Sequence, residues 1–266
     1  MSVTVRNILF VIVLILIMLG LLAWYIFSRP SLTLPTTATS SPLTTATVPV
    51  PVAFNAPATQ LAEHTQYYDI DLQYPSATPI AGSGANAAAV NTMKTFVQNT
   101  SESFKEDGNF SNLSPAQIAQ MNGNKESLSS TYKLYRSPAT VSYVFTLSSD
   151  TLGAHPNSYF RTFVFDAKSG GGIALSDLFT PGADYLNTLS TLSRTALSSQ
   201  LGKDSDSTFI NPGTTPNDDN FQNFAIDSAN LVLLFPPYQV APYSSGPQTI
   251  RIPLSKLGSI LKAGYK

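Results

Sequence analysis

Residues 139–166 read ATVSYVFTLSSDTLGAHPNSYFRTFVFD and carry the clearest secondary-structure signal in the chain. Apolar and polar residues alternate in the first part, which places Val141, Tyr143 and Phe145 on one side. The segment 159–166 is a second run rich in aromatic and β-branched residues. Such runs are typical of half-buried strands. Because a short connection joins them, we expect two antiparallel neighbours in one sheet.

The same patterns, followed outward, predict alternating groups of strands and helices. Further strands are predicted at 67–74, 128–134, 223–227, 230–235 and 248–253, and helices at about 85–105, 181–201 and 254–261. The unbroken apolar run in 230–235 predicts a central strand that is covered on both faces. Helices between groups of strands indicate an α+β fold, an antiparallel sheet with helices packed on it.

A different pattern occupies the amino-terminal end. Residues 8–27, ILFVIVLILIMLGLLAWYIF, contain no charged side chain. At about 1.5 Å per residue, a helix of this length spans roughly 30 Å, the thickness of a bilayer core. The run is longer than the apolar core of a cleaved signal peptide and ends in aromatic residues. We therefore predict an uncleaved transmembrane helix, with a cleaved signal peptide as the alternative.

The rest of the predicted organisation follows from this anchor. Residues 1–7 are expected to form a short cytoplasmic tail, and residues 28–62 a Ser/Thr/Pro-rich linker. Residues 63–266 are expected to form an extracytoplasmic α+β domain, either as one unit or as two subdomains, 63–150 and 151–266. The predicted location is the cell membrane, with a single span and the carboxyl-terminal domain outside.

Composition excludes several kinds of function. The chain has no cysteine, which excludes disulfides and thiolate metal sites, and it has two histidines, too few for a usual zinc site. All sixteen acidic residues follow residue 62, whereas only thirteen of the fifteen basic residues do. The predicted domain therefore carries a formal charge of about −3. This balance argues against a nucleic-acid partner. We expect no metal and no cofactor.

Four residues are candidates for ligand binding: His155, Asp166, Tyr238 and Tyr243. The tyrosines lie in PPYQVAPY, a proline-stiffened segment whose amphipathic rings suit stacking on sugars, anchoring a protein contact, or plugging a sheet edge. His155 suits a general base or a ligand contact, or else a turn residue bonded to the backbone. We expect Asp166 to pair with His155 if their strand ends meet, and otherwise to cap its own turn. No catalytic residue is predicted.

Several phrases resemble a known domain family. They are YDIDLQYP at 68–75, SYVFTLSSDTLGAHPNSYFRTFVFDAKSGGGIALSDLF at 142–179, and LLFPPYQVAPYSSGPQTIRIPLSKL at 233–257. They are similar to the extracytoplasmic RsiV-like domains, which form the outer domain of lysozyme-sensing anti-sigma factors and the amino-terminal domain of some peptidoglycan deacetylases. The resemblance implies the fold and the extracytoplasmic setting. We expect neither sigma-factor control nor deacetylation to follow from it.

Together these observations predict a membrane-anchored binding or sensor-like domain at the bacterial cell surface. The expected ligand is cell-wall glycan or a lysozyme-like protein. The alternative is a cell-wall hydrolase or deacetylase-like enzyme that uses His155 and an Asp. A surface module with a purely structural role is the third possibility.

Overall fold

The computed structural model describes residues 57–266. Its strands are β1 (Ala58–His64), β2 (Tyr68–Pro75), β3 (Glu126–Arg136), β4 (Thr140–Asp150), β5 (Asn157–Asp166), β6 (Phe224–Ile226), β7 (Asn230–Phe235) and β8 (Gln248–Pro253). Its α-helices are α1 (Ser83–Gly108), α2 (Pro115–Met121), α3 (Tyr185–Leu201), α4 (Ser207–Gly213) and α5 (Leu254–Leu257). The α+β class predicted from the sequence is confirmed.

The predicted tail, the transmembrane helix at 8–27 and the linker up to residue 56 lie outside the described residues. From residue 57 onward, no helix combines the length and the apolar character that a bilayer span needs. The last residues of the predicted linker, 58–62, belong to β1, which pairs antiparallel with β2 from Ala58 opposite Pro75 to His64 opposite Asp69.

The first sheet has five strands in the order β1-β2-β3-β4-β5. Strands β2 and β3 are parallel, and the other neighbouring pairs are antiparallel. The prediction of an antiparallel sheet is therefore wrong for this pair. The reason is the connection: α1 and α2 lie between the two strands and carry the chain back to the end where β2 began, as a crossover connection does.

Helix α1 packs on one face of this sheet. Its buried residues include Ala89, Met93, Val97 and Phe104, which recur at helical spacing. They form one core with side chains of the sheet, among them Phe145, which is fully buried. The helix predicted at 85–105 is confirmed, and it is longer by about one turn.

The second sheet has three antiparallel strands in the order β6-β7-β8. On β7, the side chains of Leu231, Leu233 and Phe235 belong to the core that includes residues of α3. Val232 and Leu234 belong to a separate cluster on the opposite face. The predicted central strand, covered on both faces, is confirmed. The helix predicted at 254–261 is shorter, a single turn.

The two sheets pack face to face. Val144 of β4 and Tyr135 of β3 form a cluster with Val232 and Leu234 of β7. A buried hydrogen bond crosses the same contact, because the amide of Ile226 donates to the Ser142 hydroxyl at 3.2 Å. The layers are therefore α1, the five-stranded sheet, the three-stranded sheet and α3.

Candidate ligand-binding site

Three of the four predicted site residues meet on the surface. His155 lies in the β4–β5 loop, and Tyr238 and Tyr243 lie in the β7–β8 loop. The rings of His155 and Tyr243 stack, with centroids 3.8 Å apart and planes at 20°. The Tyr238 hydroxyl lies 3.0 Å from His155 Nε2. We call these three residues the aromatic cluster.

Hydrogen bonds indicate which nitrogen of the neutral His155 ring carries the proton. Its Nδ1 atom lies 3.0 Å from the carbonyl oxygen of Pro156, which can only accept, so Nδ1 carries a proton. In the neutral ring, Nε2 then accepts from the Tyr238 hydroxyl. Tyr243 donates its hydroxyl to the same carbonyl oxygen at 3.0 Å. Both ring nitrogens therefore have hydrogen-bond partners, Nδ1 in the Pro156 carbonyl and Nε2 in the Tyr238 hydroxyl.

The backbone at Tyr238 is strained. Its φ is +71°, in the left-handed region that non-glycine residues seldom adopt, and the residue is 54% exposed. Such a conformation costs about 1–3 kcal/mol and persists only where the surroundings impose it. An exposed ring on a strained backbone contributes little to a core, which makes this residue a functional candidate.

Sequence reasoning missed the residues that hold the β7–β8 loop in place. The side-chain amide of Gln239 donates to the carbonyl oxygens of Gly213 at 2.9 Å and Asn220 at 3.0 Å. A Cβ atom at Gly213 would overlap the carbonyl oxygen of Gln239, so the close approach requires glycine there. The glycine itself was the one available signal, but nothing in the sequence pointed to its contact.

Asp166 lies apart from the aromatic cluster. It ends β5, whereas His155 precedes the start of that strand, and ten residues of strand span about 30 Å. Its carboxylate accepts from the Ser169 amide at 2.7 Å, the Ser169 hydroxyl at 2.9 Å and the Lys168 amide at 3.0 Å. These bonds, those from Ser169 above all, lower the pKa of Asp166. Asp166 caps its own turn and does not pair with His155.

Two clefts open beside the β4–β5 loop, and the sequence did not predict them. One, of about 490 Å³, lies between α1, α2 and the adjoining ends of β3 and β4. The other, of about 450 Å³, lies between α1 and β3–β5. They share Phe104, Asp107 and Ser149. Burial, reinforced by the charge of Asp150, raises the pKa of Glu126 in the first cleft. Nowhere in residues 57–266 do three or more His, Asp or Glu side chains converge as a metal site would require.

Comparison with known proteins gives sequence relatives. The peptidoglycan-N-acetylmuramic acid deacetylase PdaC of Bacillus subtilis is 35% identical over 126 residues, which cover 47% of this chain and 27% of that protein. An esterase of Mycobacterium tuberculosis is 28% identical over 119 residues, 45% of this chain and 51% of the esterase. The immunogenic protein MPT64 of the same species is 26% identical over 134 residues, 50% of this chain and 58% of MPT64. The chain thus spans about a quarter to just over half of these relatives.

Solved structures show a similar fold, and a family model matches part of the chain. A DUF3298 family member from Bacteroides fragilis has a TM-score of 0.56 at 18% identity, covering 78% of this chain and 93% of that one. A DUF3298 family protein from Pseudomonas aeruginosa has a TM-score of 0.53 at 16% identity, covering 79% and 96%. Residues 176–255 match the family described as "Protein of unknown function (DUF3298)". The predicted resemblance is confirmed: residues 176–255 are similar to the DUF3298 family, and part of the chain is related in sequence to a peptidoglycan deacetylase.

Proposed function

We propose that residues 57–266 form a binding domain that recognises cell-wall glycan through the aromatic cluster. The observation that carries this proposal is Tyr238, a residue that is 54% exposed on a left-handed backbone and whose hydroxyl bonds to His155. Exposed tyrosines held in one orientation offer an apolar face and a polar tip at little entropic cost. This combination suits a ligand with both apolar and hydroxyl-bearing surfaces.

The choice of ligand and setting rests on the relatives and on the sequence. The Bacillus subtilis relative is a peptidoglycan deacetylase, which favours a wall glycan over other carbohydrates. The apolar run at 8–27 favours a membrane anchor, with the domain outside the cell and a sensor-like role. A lysozyme-like protein is the competing ligand for the same surface.

An enzymatic role that uses His155 and an Asp is the second candidate, and the esterase name of one relative favours it. A hydrolase of this kind needs its imidazole free to take a proton from a nucleophile. Here the ring nitrogens contact Pro156 and Tyr238, and Asp166 lies at the far end of β5. Binding without turnover is the better-supported function.

The test is capture of purified peptidoglycan sacculi by the full-length chain in detergent micelles. We expect Tyr238→Ala and Tyr243→Ala each to weaken capture about tenfold, since an anchor ring is worth more than 1 kcal/mol. Tyr265→Ala is the matched control. Tyr265 lines a separate cleft together with Asp166, so this change should leave capture unchanged. Melting curves of all three variants show whether the fold is kept.

Three results would overturn the proposal. The first is capture that does not depend on the two tyrosines. The second is binding to lysozyme without binding to sacculi, which would make the ligand a protein. The third is release of soluble wall fragments or acetate in the same assay, abolished by His155→Ala, which would make the domain an enzyme.

A further inference from the structure

The two clefts beside the β4–β5 loop lie next to each other along α1. Phe104 and Asp107 of α1 and Ser149 of β4 line both of them. Each has the volume of an ordinary small-molecule site, roughly 300–1,000 Å³. We call the combined feature the α1 groove. Its length along α1 suits a chain-like ligand better than a compact one.

The lining of the α1 groove combines aromatic faces with uncharged polar groups. Phe104 and Tyr159 provide ring surfaces, and Asn99, Ser103 and Asn157 provide amides and a hydroxyl. Gln117 and Gln120 of α2 extend the polar wall into the other cleft. Among the described residues that line the groove there is no Lys, Arg or His. The groove therefore offers both donors and acceptors, and its only formal charges are negative.

These groups select among ligand classes. A phosphate or carboxylate ligand would be repelled by Asp107 and Glu126. A purely apolar ligand would leave the amides and carboxylates buried without partners, at about 1–3 kcal/mol each. A sugar ring avoids both costs, since each of its hydroxyls donates and accepts while its C–H face packs on an aromatic ring.

The β4–β5 loop connects the α1 groove to the aromatic cluster. Thr151 and Leu152 line the groove, and His155, three residues later, belongs to the cluster. Leu152 is a second non-glycine residue in the left-handed region, with φ of +59°, and its amide donates to the Asp150 carboxylate at 2.9 Å. Its apolar side chain is nevertheless 38% exposed. Strain and exposed apolar surface thus recur on both sides of one loop.

We propose that the α1 groove binds a neutral oligosaccharide, and that one glycan chain extends from it across the β4–β5 loop to the aromatic cluster. The inference rests on the proposed function and adds a second, larger part to the site. It also assigns roles to Asn99 and Asp107, which lie on α1, away from the cluster.

Calorimetric titration of the full-length chain in detergent micelles tests this inference. The probes are the tetramer of N-acetylglucosamine, which is neutral, and its fully deacetylated counterpart, which is cationic. We expect the neutral tetramer to bind, and Asn99→Ala and Asp107→Asn each to raise its Kd about tenfold. Asn187→Ala is the matched control and should leave Kd unchanged, because the side-chain amide of this asparagine on α3 donates to the Asp184 carboxylate.

The outcomes separate the groove from the cluster. If Tyr238→Ala weakens binding but both α1 variants bind with the unchanged Kd, the groove inference is wrong and the proposed function stands. If the α1 variants alone weaken binding, the groove binds the sugar, but the extension to the aromatic cluster and the proposed function are wrong. If only the cationic tetramer binds, the site recognises charge and the inference is wrong. If neither tetramer nor sacculi bind, both proposals fall.

Discussion

Two groups of aromatic rings in this domain differ in what supports them. In the first core, Phe145 is fully buried and lies 5.5–5.7 Å from the rings of Phe96, Tyr132 and Phe163. In the aromatic cluster, Tyr238 is 54% exposed and stands on a left-handed backbone. The buried rings stabilise the fold, whereas the exposed ring is held at a cost to it. A costly feature on a surface calls for a functional explanation.

The largest expected effect comes from a change among the buried rings of the first core. Phe145→Ala should lower the free energy of unfolding by about 3–5 kcal/mol, because it removes a fully buried ring and leaves a cavity. Tyr243→Ala should cost less than about 1 kcal/mol, because its ring stacks at the surface. Urea denaturation of both variants measures the contrast. Equal losses would show that the cluster is part of the core.

A second change probes the contact between the sheets. Ser142→Ala removes the acceptor of the buried Ile226 amide, and an unpaired buried amide costs about 1–3 kcal/mol. Thr146→Ala, at an exposed position farther along the same strand, is the control, with a loss near zero. A loss at Ser142 no larger than at Thr146 would mean that the two sheets do not depend on this bond.

A third change tests the strain at Tyr238. Because glycine adopts a left-handed φ freely, Tyr238→Gly should be more stable than Tyr238→Ala by about 0.5–1 kcal/mol, the left-handed penalty less the unfolded-state entropy of glycine. At Thr146, in the middle of a strand, the same pair should show the opposite order. Thermal melts compare the four variants. An alanine variant as stable as the glycine variant would remove the argument from strain.

The smallest effect concerns Asp166, the predicted site residue that lies away from the cluster. Its pKa is lowered from 3.8 by hydrogen bonds, so the ionised form stabilises the fold above that pH, and the contribution is lost as pH falls below it. Asp166→Asn should therefore cost less than about 1 kcal/mol at pH 7, and progressively less as the pH falls below 3.8. Its capture of sacculi should equal that of the unmodified chain. Weaker capture would mean that Asp166 does contribute to the binding site.

Much of the fold was predictable because its elements carry strong local patterns. The alternation around Tyr143 and Phe145 located β4, and the apolar run of β7 predicted a strand buried on both faces. The parallel β2–β3 pair was missed because strand direction depends on how α1 packs, which no local pattern states. Strand β1 was missed because its residues are mostly polar or small and border a Pro-rich segment.

The site was predictable in composition but not in geometry. Residue type alone marked Tyr238, Tyr243 and His155, because amphipathic rings and an imidazole suit binding. Their convergence joins loops 83 residues apart at the His155–Tyr238 bond, a separation that sequence patterns do not bridge. The α1 groove was missed for the same reason, since its lining comes from two helices and three strands.

The parallel pairing of β2 with β3 also has a kinetic consequence. About fifty residues separate Pro75 from Glu126, and closing a loop of that length costs on the order of 3 kcal/mol before any bond between the strands repays it. Local hairpins such as β3–β4 avoid this delay. In the first sheet, β3, β4 and β5 should therefore pair early and β2 should pair with β3 late. The edge of β3 that faces β2 then stays unpaired for longest during refolding.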